Sequence, residues 1–145
     1  MKKVRGIFIK NERESEVMRK ANGIVSNILD SIGNILRPGI PSLALEEHAQ
    51  ELCREFEVKP AFQGYHGFPF AICCSINDEV VHGFPSERII EEGDIVSVDM
   101  GVVYDGFYGD SARTFPVGEV SAEASRLIDI TRESLYKGIE QARPG

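Results

Sequence analysis

The stretch Ile95-Val96-Ser97-Val98-Asp99-Met100-Gly101-Val102-Val103-Tyr104-Asp105-Gly106-Phe107-Tyr108-Gly109-Asp110 decides how this chain folds. β-Branched and aromatic residues flank Asp105-Gly106, the two-residue turn whose backbone twist matches a β-hairpin. The pattern predicts a strand over 95–104 and a return strand over 107–115, closed by Pro116 and Gly118. With no bulge, Tyr104 faces Phe107, Val102 faces Gly109 and Gly101 faces Asp110. Strand side chains alternate, so Asp99, Gly101 and Val103 share a face with Asp110, while Val96, Val98, Met100 and Val102 point to the core. Asp99 and Asp110 are then diagonal neighbours with Cα atoms roughly 7–8 Å apart. Gly101 and Gly109 are expected to leave the space between the carboxylates open.

Two carboxylates converging from adjacent strands repel each other and lose hydration when partly buried. A hard divalent cation relieves both costs, and two ions sharing a carboxylate can activate water and polarise a carbonyl. The same pattern also suits a solvated polar face of an antiparallel hairpin.

Working outward, Asn11 followed by Glu14 has the form of a helix-start capping box. Val17, Met18, Ala21, Ile24, Val25, Ile28, Ile32, Ile35 and Leu36 then recur at helical spacing up to Arg37-Pro38-Gly39. Ser42 is expected to cap a second helix with Leu45, Ala49, Leu52, Cys53 and Phe56 on one side, ended by Lys59-Pro60. His48 falls on the exposed side of that helix and reads as a surface residue. Positions 61–85, broken by glycine and proline, predict short strands and ordered loops, with 71–76 the best strand. A charged connection over 87–94 leads to the hairpin. Ser121 can cap a last helix carrying Ala124, Leu127, Ile128, Thr131, Leu135, Ile139 and Ala142. The stretches 17–39 and 123–145 echo each other as amphipathic helices ending in Arg-Pro-Gly, although such helices are also common in unrelated chains.

The whole chain has 145 residues, 16 Lys and Arg against 23 Asp and Glu, and a net charge of −7. That length suits one ordinary domain, and the acidic balance argues against nucleic acid as the main partner. No apolar run is long enough to span a membrane. The basic start at Lys2 and Lys3 lacks an adequate apolar segment and cleavage site, which predicts a cytoplasmic protein. Cys53, Cys73 and Cys74 are too few and too clustered for a disulfide framework.

Three further stretches carry a resemblance: Gly64-Tyr65-His66-Gly67-Phe68-Pro69, Cys73-Cys74-Ser75-Ile76-Asn77-Asp78-Glu79-Val80-Val81-His82-Gly83-Phe84-Pro85, and Gly93-Asp94 leading into the hairpin aspartates eleven residues apart. In order and spacing they resemble the type I methionine aminopeptidases. The resemblance implies the pita-bread α/β fold, with a curved antiparallel sheet flanked by helices, two pseudo-symmetric halves and a dinuclear metal site. It implies removal of the initiator methionine from nascent polypeptides, with the ribosome as a possible partner. Asp99 matches the aspartate that chelates one metal and Asp110 the one that bridges both. His82 matches the histidine that hydrogen-bonds substrate near the scissile peptide and is the expected catalytic group. Tyr65, His66, Phe68 and Cys73 match the methionine side-chain pocket, with Phe62 near it. An aromatic and cysteine lining suits a polarisable thioether, while Cys53 and Cys74 read as core.

On this reading the chain is a single partial catalytic domain. Residues 1–120 form the first half-repeat with its hairpin, and 121–145 the opening helix of the second. The family's remaining ligands, one histidine and two glutamates, fall in the second half and have no counterpart here, so the chain alone is expected to be inactive. The ions expected in an intact site are divalent: cobalt, manganese, iron or zinc. Two other readings are a non-catalytic binding module of the same fold and a related X-Pro peptidase or creatinase-type hydrolase. The intact Asp99, Asp110 and His82 speak against the former, and the motif from Tyr65 to His82 against the latter.

Overall fold

A computed structural model describes residues 2–144, without the side chain of Lys2. Gly145, which closes the second Arg-Pro-Gly, therefore lies outside the described residues. In chain order the elements are β1 (Lys2–Val4), β2 (Ile7–Ile9), α1 (Glu12–Ile35), α2 (Leu43–Glu55), β3 (Lys59–Pro60), β4 (Ile72–Ile76), β5 (Ile95–Tyr104), β6 (Phe107–Pro116) and α3 (Ala122–Glu140).

The hairpin sets the architecture. β5 and β6 pair antiparallel in the expected register, with Gly101 opposite Asp110 and Val102 opposite Gly109. Asp105 and Gly106 both take positive φ, 46° and 78°, as the tight turn of a twisted hairpin requires. β4 pairs antiparallel with β5, from Ile72 opposite Met100 to Ile76 opposite Val96. Lys59 and Pro60 form the small strand β3 beside Val103 and Val102. The sequence reading gave this pair only as a helix stop. α2 has already ended at Glu55, and Glu57 turns the chain at φ 54°.

Val96, Val98, Met100 and Val102 are fully buried, as their face of β5 predicts, and α1 covers them with Ala21, Val25, Ile28, Leu29 and Ile32. Asn11 and Glu14 form the reciprocal capping box, each bond 2.9 Å long. Gly109 plays a different part from the one expected. It pairs with Val102 and so faces α1, where an added Cβ would lie 2.5 Å from the Ala21 carbonyl carbon and 2.7 Å from the Asn22 nitrogen. It admits the helix backbone and opens no space at the carboxylates. Gly101 does lie on the carboxylate side, but Phe62 and Ala61 fill the room it leaves.

Two polar expectations on α2 are also corrected. The Ser42 hydroxyl does not cap the helix; it accepts from the Ser86 N–H at 2.9 Å and donates to the Ser86 carbonyl at 3.0 Å. His48 is half-buried, with Nε2 2.8 Å from the Ser31 hydroxyl on α1. Both misreadings share one cause: partners far away in sequence leave no local signal. The lead-in at 7–9 is the return strand of an exposed hairpin with β1. At the other end, Ser121 caps α3 by accepting from the Ala124 N–H. That helix buries no residue and leaves Leu127, Ile130, Leu135, Tyr136 and Ile139 exposed.

Candidate active site

A cavity of about 480 Å³ opens on the face of β5 opposite the core, lined by Phe62, Tyr65, His66, Gly67, Phe68, Cys73, His82, Phe84 and Asp99. Each of its walls has a local cause. Cys73 pairs with Asp99 across β4 and β5, which sets thiol and carboxylate side by side. The turn over 64–68 places Tyr65, His66 and Phe68. Gly64 and Gly67 take positive φ there, and His66 sits in the left-handed region at φ 47°.

His82 arrives on the connection between β4 and β5, also with positive φ, 60°. Strained backbone of this kind persists only where surrounding structure holds it. The neighbouring residue explains the hold. The Gly83 carbonyl accepts from the Cys74 N–H at 2.9 Å, and its N–H donates to the Ser75 hydroxyl at 3.1 Å. A Cβ on Gly83 would lie 2.3 Å from the Cys74 carbonyl oxygen. Only glycine lets this segment dock on the outer edge of β4. Further back, Asn77 at φ 58° donates its side-chain amide to Asp94 at 2.7 Å and accepts from the Ile95 N–H at 3.0 Å. Phe68, Phe70 and Phe84 meet edge to face at 5.3–6.2 Å between centroids.

The electrostatics tie the carboxylates together. Burial raises the Asp99 carboxyl above the ordinary aspartate range, the neighbouring Asp110 raises it further, and His82 offsets part of this. Cys73 is pushed up to about 11, first by burial and then by Asp99, Asp110 and Glu46. Cys53 and Cys74 are core residues, as expected, raised by burial to about 11 and about 12.

The structure thus brings Tyr65, His66, Phe68, Cys73, His82 and Asp99 to one cavity. Asp110 stays outside its lining, exposed beside it, with its N–H 3.3 Å from the Asn22 side-chain oxygen. Phe62, which the resemblance puts near the pocket, is a full member of its lining. Phe84 and Gly67 were missed as lining residues, although both stand within the quoted motifs.

The donor set suits part of a divalent metal site. Two carboxylates supply hard oxygen ligands, and the two effects that raise Asp99, burial and a like charge, are those a cation reverses. Among the described residues no three His, Cys, Asp or Glu side chains form a group that could hold an ion. The pair therefore accounts for only part of a ligand set.

The model of metallopeptidase family M24 matches residues 16–145. The chain belongs to this family. Methionine aminopeptidase from Clostridium acetobutylicum is 47% identical over 94% of the chain, which covers 55% of that relative. Methionine aminopeptidase 1 from Bacillus subtilis is 41% identical over 96% of the chain and 56% of its own length. The crystal structure of the Thermotoga maritima methionine aminopeptidase superposes with a TM-score of 0.93 at 44% identity, over 96% of this chain and 56% of that one. The resemblance read from the motifs is borne out, and the fold of this M24 chain is the pita-bread α/β fold. The chain spans about half the length of the relatives it matches.

Proposed function

We propose that this chain supplies the methionine side-chain pocket and two of the metal-holding carboxylates of a methionine aminopeptidase. The observation that carries the reading is the cavity itself. It joins an apolar lining of aromatic rings and a thiol to a histidine and a desolvated carboxylate, in a chain 44% identical to the Thermotoga maritima methionine aminopeptidase. The reaction is release of the N-terminal methionine from nascent polypeptides in the cytoplasm. No described helix is long and apolar enough to cross a membrane.

Each residue has a role that its position suits. Phe62, Tyr65, His66, Phe68, Phe84 and Cys73 take the thioether side chain by packing and sulfur–ring contact. His82, fixed by the docking of Gly83, donates a hydrogen bond to substrate near the scissile peptide. Asp99 would hold one ion, and Asp110, on the neighbouring strand, would bridge to a second. When bound, such ions supply Lewis acidity and activate water at neutral pH. The protein's own part is to orient the α-amino end of the substrate against Asp99 while the pocket holds its side chain. Residues 1–120 act as the first half-repeat and 121–145 as the opening helix of the second, and the chain alone is inactive.

The test is a chimera in which this chain precedes the part of the Thermotoga maritima enzyme that it does not cover. Release of methionine from a Met-Ala-Ser peptide in the presence of cobalt, manganese, iron or zinc is expected. Cleavage of an X-Pro peptide instead, or no release with any of the ions, would overturn the proposal.

A further inference from the structure

Two buried polar side chains, Ser42 at the N-cap of α2 and Glu46 in its first turn, have no part in the cavity lining, yet each is bonded to main chain next to one of its walls. Ser42 and Glu46 stand one helical turn apart, so they project from the same face. They are 1% and 2% exposed. The Glu46 carboxylate accepts from the Ala71 N–H at 2.8 and 3.0 Å, from the Ile72 N–H at 3.0 Å and from the Gln50 side chain at 2.7 Å. Those amides lie at the start of β4, directly ahead of the lining residue Cys73 and just after Phe70, which packs against the lining residue Phe68. The Ser42 hydroxyl exchanges two bonds with the Ser86 main chain, and the Ser42 and Leu43 N–H groups donate to the Arg88 and Ser86 carbonyls at 2.9 Å each. Ser86 follows the His82–Phe84 wall by two residues. The two walls then meet through Phe84 against Phe68 and Phe70.

We infer that Ser42 and Glu46 are positioning residues that set the separation of the two cavity walls, and with it the fit of the substrate's first side chain. The first turn of α2 is the fixed side of a triangle whose other sides are the walls. This explains why Ser42 gives up the helix cap that serine ordinarily makes. It also gives a reason for a buried carboxylate where an apolar residue would pack without desolvation. The biological sense of the inference rests on the pocket reading above, but the wall geometry can be tested without catalysis.

The test uses Cys73, which lines the cavity and is 5% exposed, with Cys53 and Cys74 as internal references in the core. The three thiols are alkylated with iodoacetamide at one fixed mildly alkaline pH, and each rate is read by peptide mass spectrometry. Ser42→Ala and Glu46→Asp, which keeps the charge that raises Cys73 and Cys53 but shortens the arm to Ala71 and Ile72, are each expected to raise the Cys73 rate about tenfold, the order of shift in a local opening equilibrium when a hydrogen bond is lost. Cys53 and Cys74 should stay protected, and Ser42→Thr, which keeps the hydroxyl, should stay within about twofold of the parent on the same scale. An unchanged Cys73 rate in a variant overturns the role of that residue. A parallel rise at all three cysteines, including one caused by unfolding, overturns the inference in favour of a purely structural role. Failure of the chimera to release methionine while Cys73 responds as expected would remove the pocket reading alone.

Discussion

Replacing Gly83 with alanine tests whether docking on β4 holds His82 in place. A Cβ at this position would stand 2.3 Å from the Cys74 carbonyl oxygen, 2.9 Å from the Ser75 hydroxyl and 3.0 Å from the Cys74 carbonyl carbon. Two of these atoms belong to the backbone of a buried strand paired along its length with β5, so the segment carrying Gly83 must move instead. Moving it breaks the bonds from the Cys74 N–H and to the Ser75 hydroxyl. Two such bonds are together worth about 1–3 kcal/mol net. Imperfect resolvation of the Cys74 N–H adds to this, and a total near 2–3 kcal/mol is expected. For a chain of this size that corresponds to a fall in Tm of about 5–10 °C if unfolding is two-state. Urea denaturation gives the global cost, and amide exchange at Cys74 reports the local one. The expected pattern is a lower urea midpoint together with loss of protection at Cys74. A variant within about 0.5 kcal/mol of the parent, a normal surface effect, with Cys74 still protected would refute the docking argument.

Further expectations follow from the same geometry. Gly109→Ala forces a methyl group against the α1 backbone and should cost about 1–3 kcal/mol by overpacking, read as a lower urea midpoint with unchanged slope. Asp99 carries a raised carboxyl, so the folded chain holds a proton at a pH where the unfolded chain has lost it, and stability falls as pH rises through that window. Asp99→Asn should therefore resist urea better than the parent at neutral pH and lose this advantage below the usual aspartate range; equal midpoints at neutral pH would contradict the shift. In the chimera, His82→Ala should lower kcat by about 10²-fold or more with little change in Tm, as expected for a group acting on substrate; matching losses in both would remove its substrate role. The exposed Leu127, Leu135 and Ile139 on α3 should drive self-association of the isolated chain. Leu127→Lys with Leu135→Lys should yield a monomer by light scattering without loss of stability.

The hairpin was legible in the sequence because two local signals agree, a period-two pattern and an Asp-Gly turn. Its register, its buried face and the nearness of Asp99 to Asp110 followed from them. The Asn11 capping box and the stripe on α1 were equally local. What stayed hidden depends on distant partners. Ser42 looks like a helix cap until Ser86, forty-four residues away, takes its hydroxyl. Glu46 looks like any charged residue on a polar face until the amides of Ala71 and Ile72 close over it. Gly109 and Gly101 are alike in sequence, yet one admits the backbone of α1 and the other the ring of Phe62. The site residues came from motif order, since no spacing rule alone would join Tyr65, His82 and Asp99. Phe84 was missed because an aromatic residue beside proline in a loop has no local mark of a pocket wall.

The central claim is that Asp99 and Asp110 hold metal beside the pocket, and metal content tests it most directly. The chimera and its Asp99→Asn and Asp110→Asn variants would be stripped of metal and then titrated with manganese by calorimetry. Two ions per chain are expected in the parent, with loss of one in Asp99→Asn and loss of both in Asp110→Asn. Full manganese binding in both variants would contradict the claim.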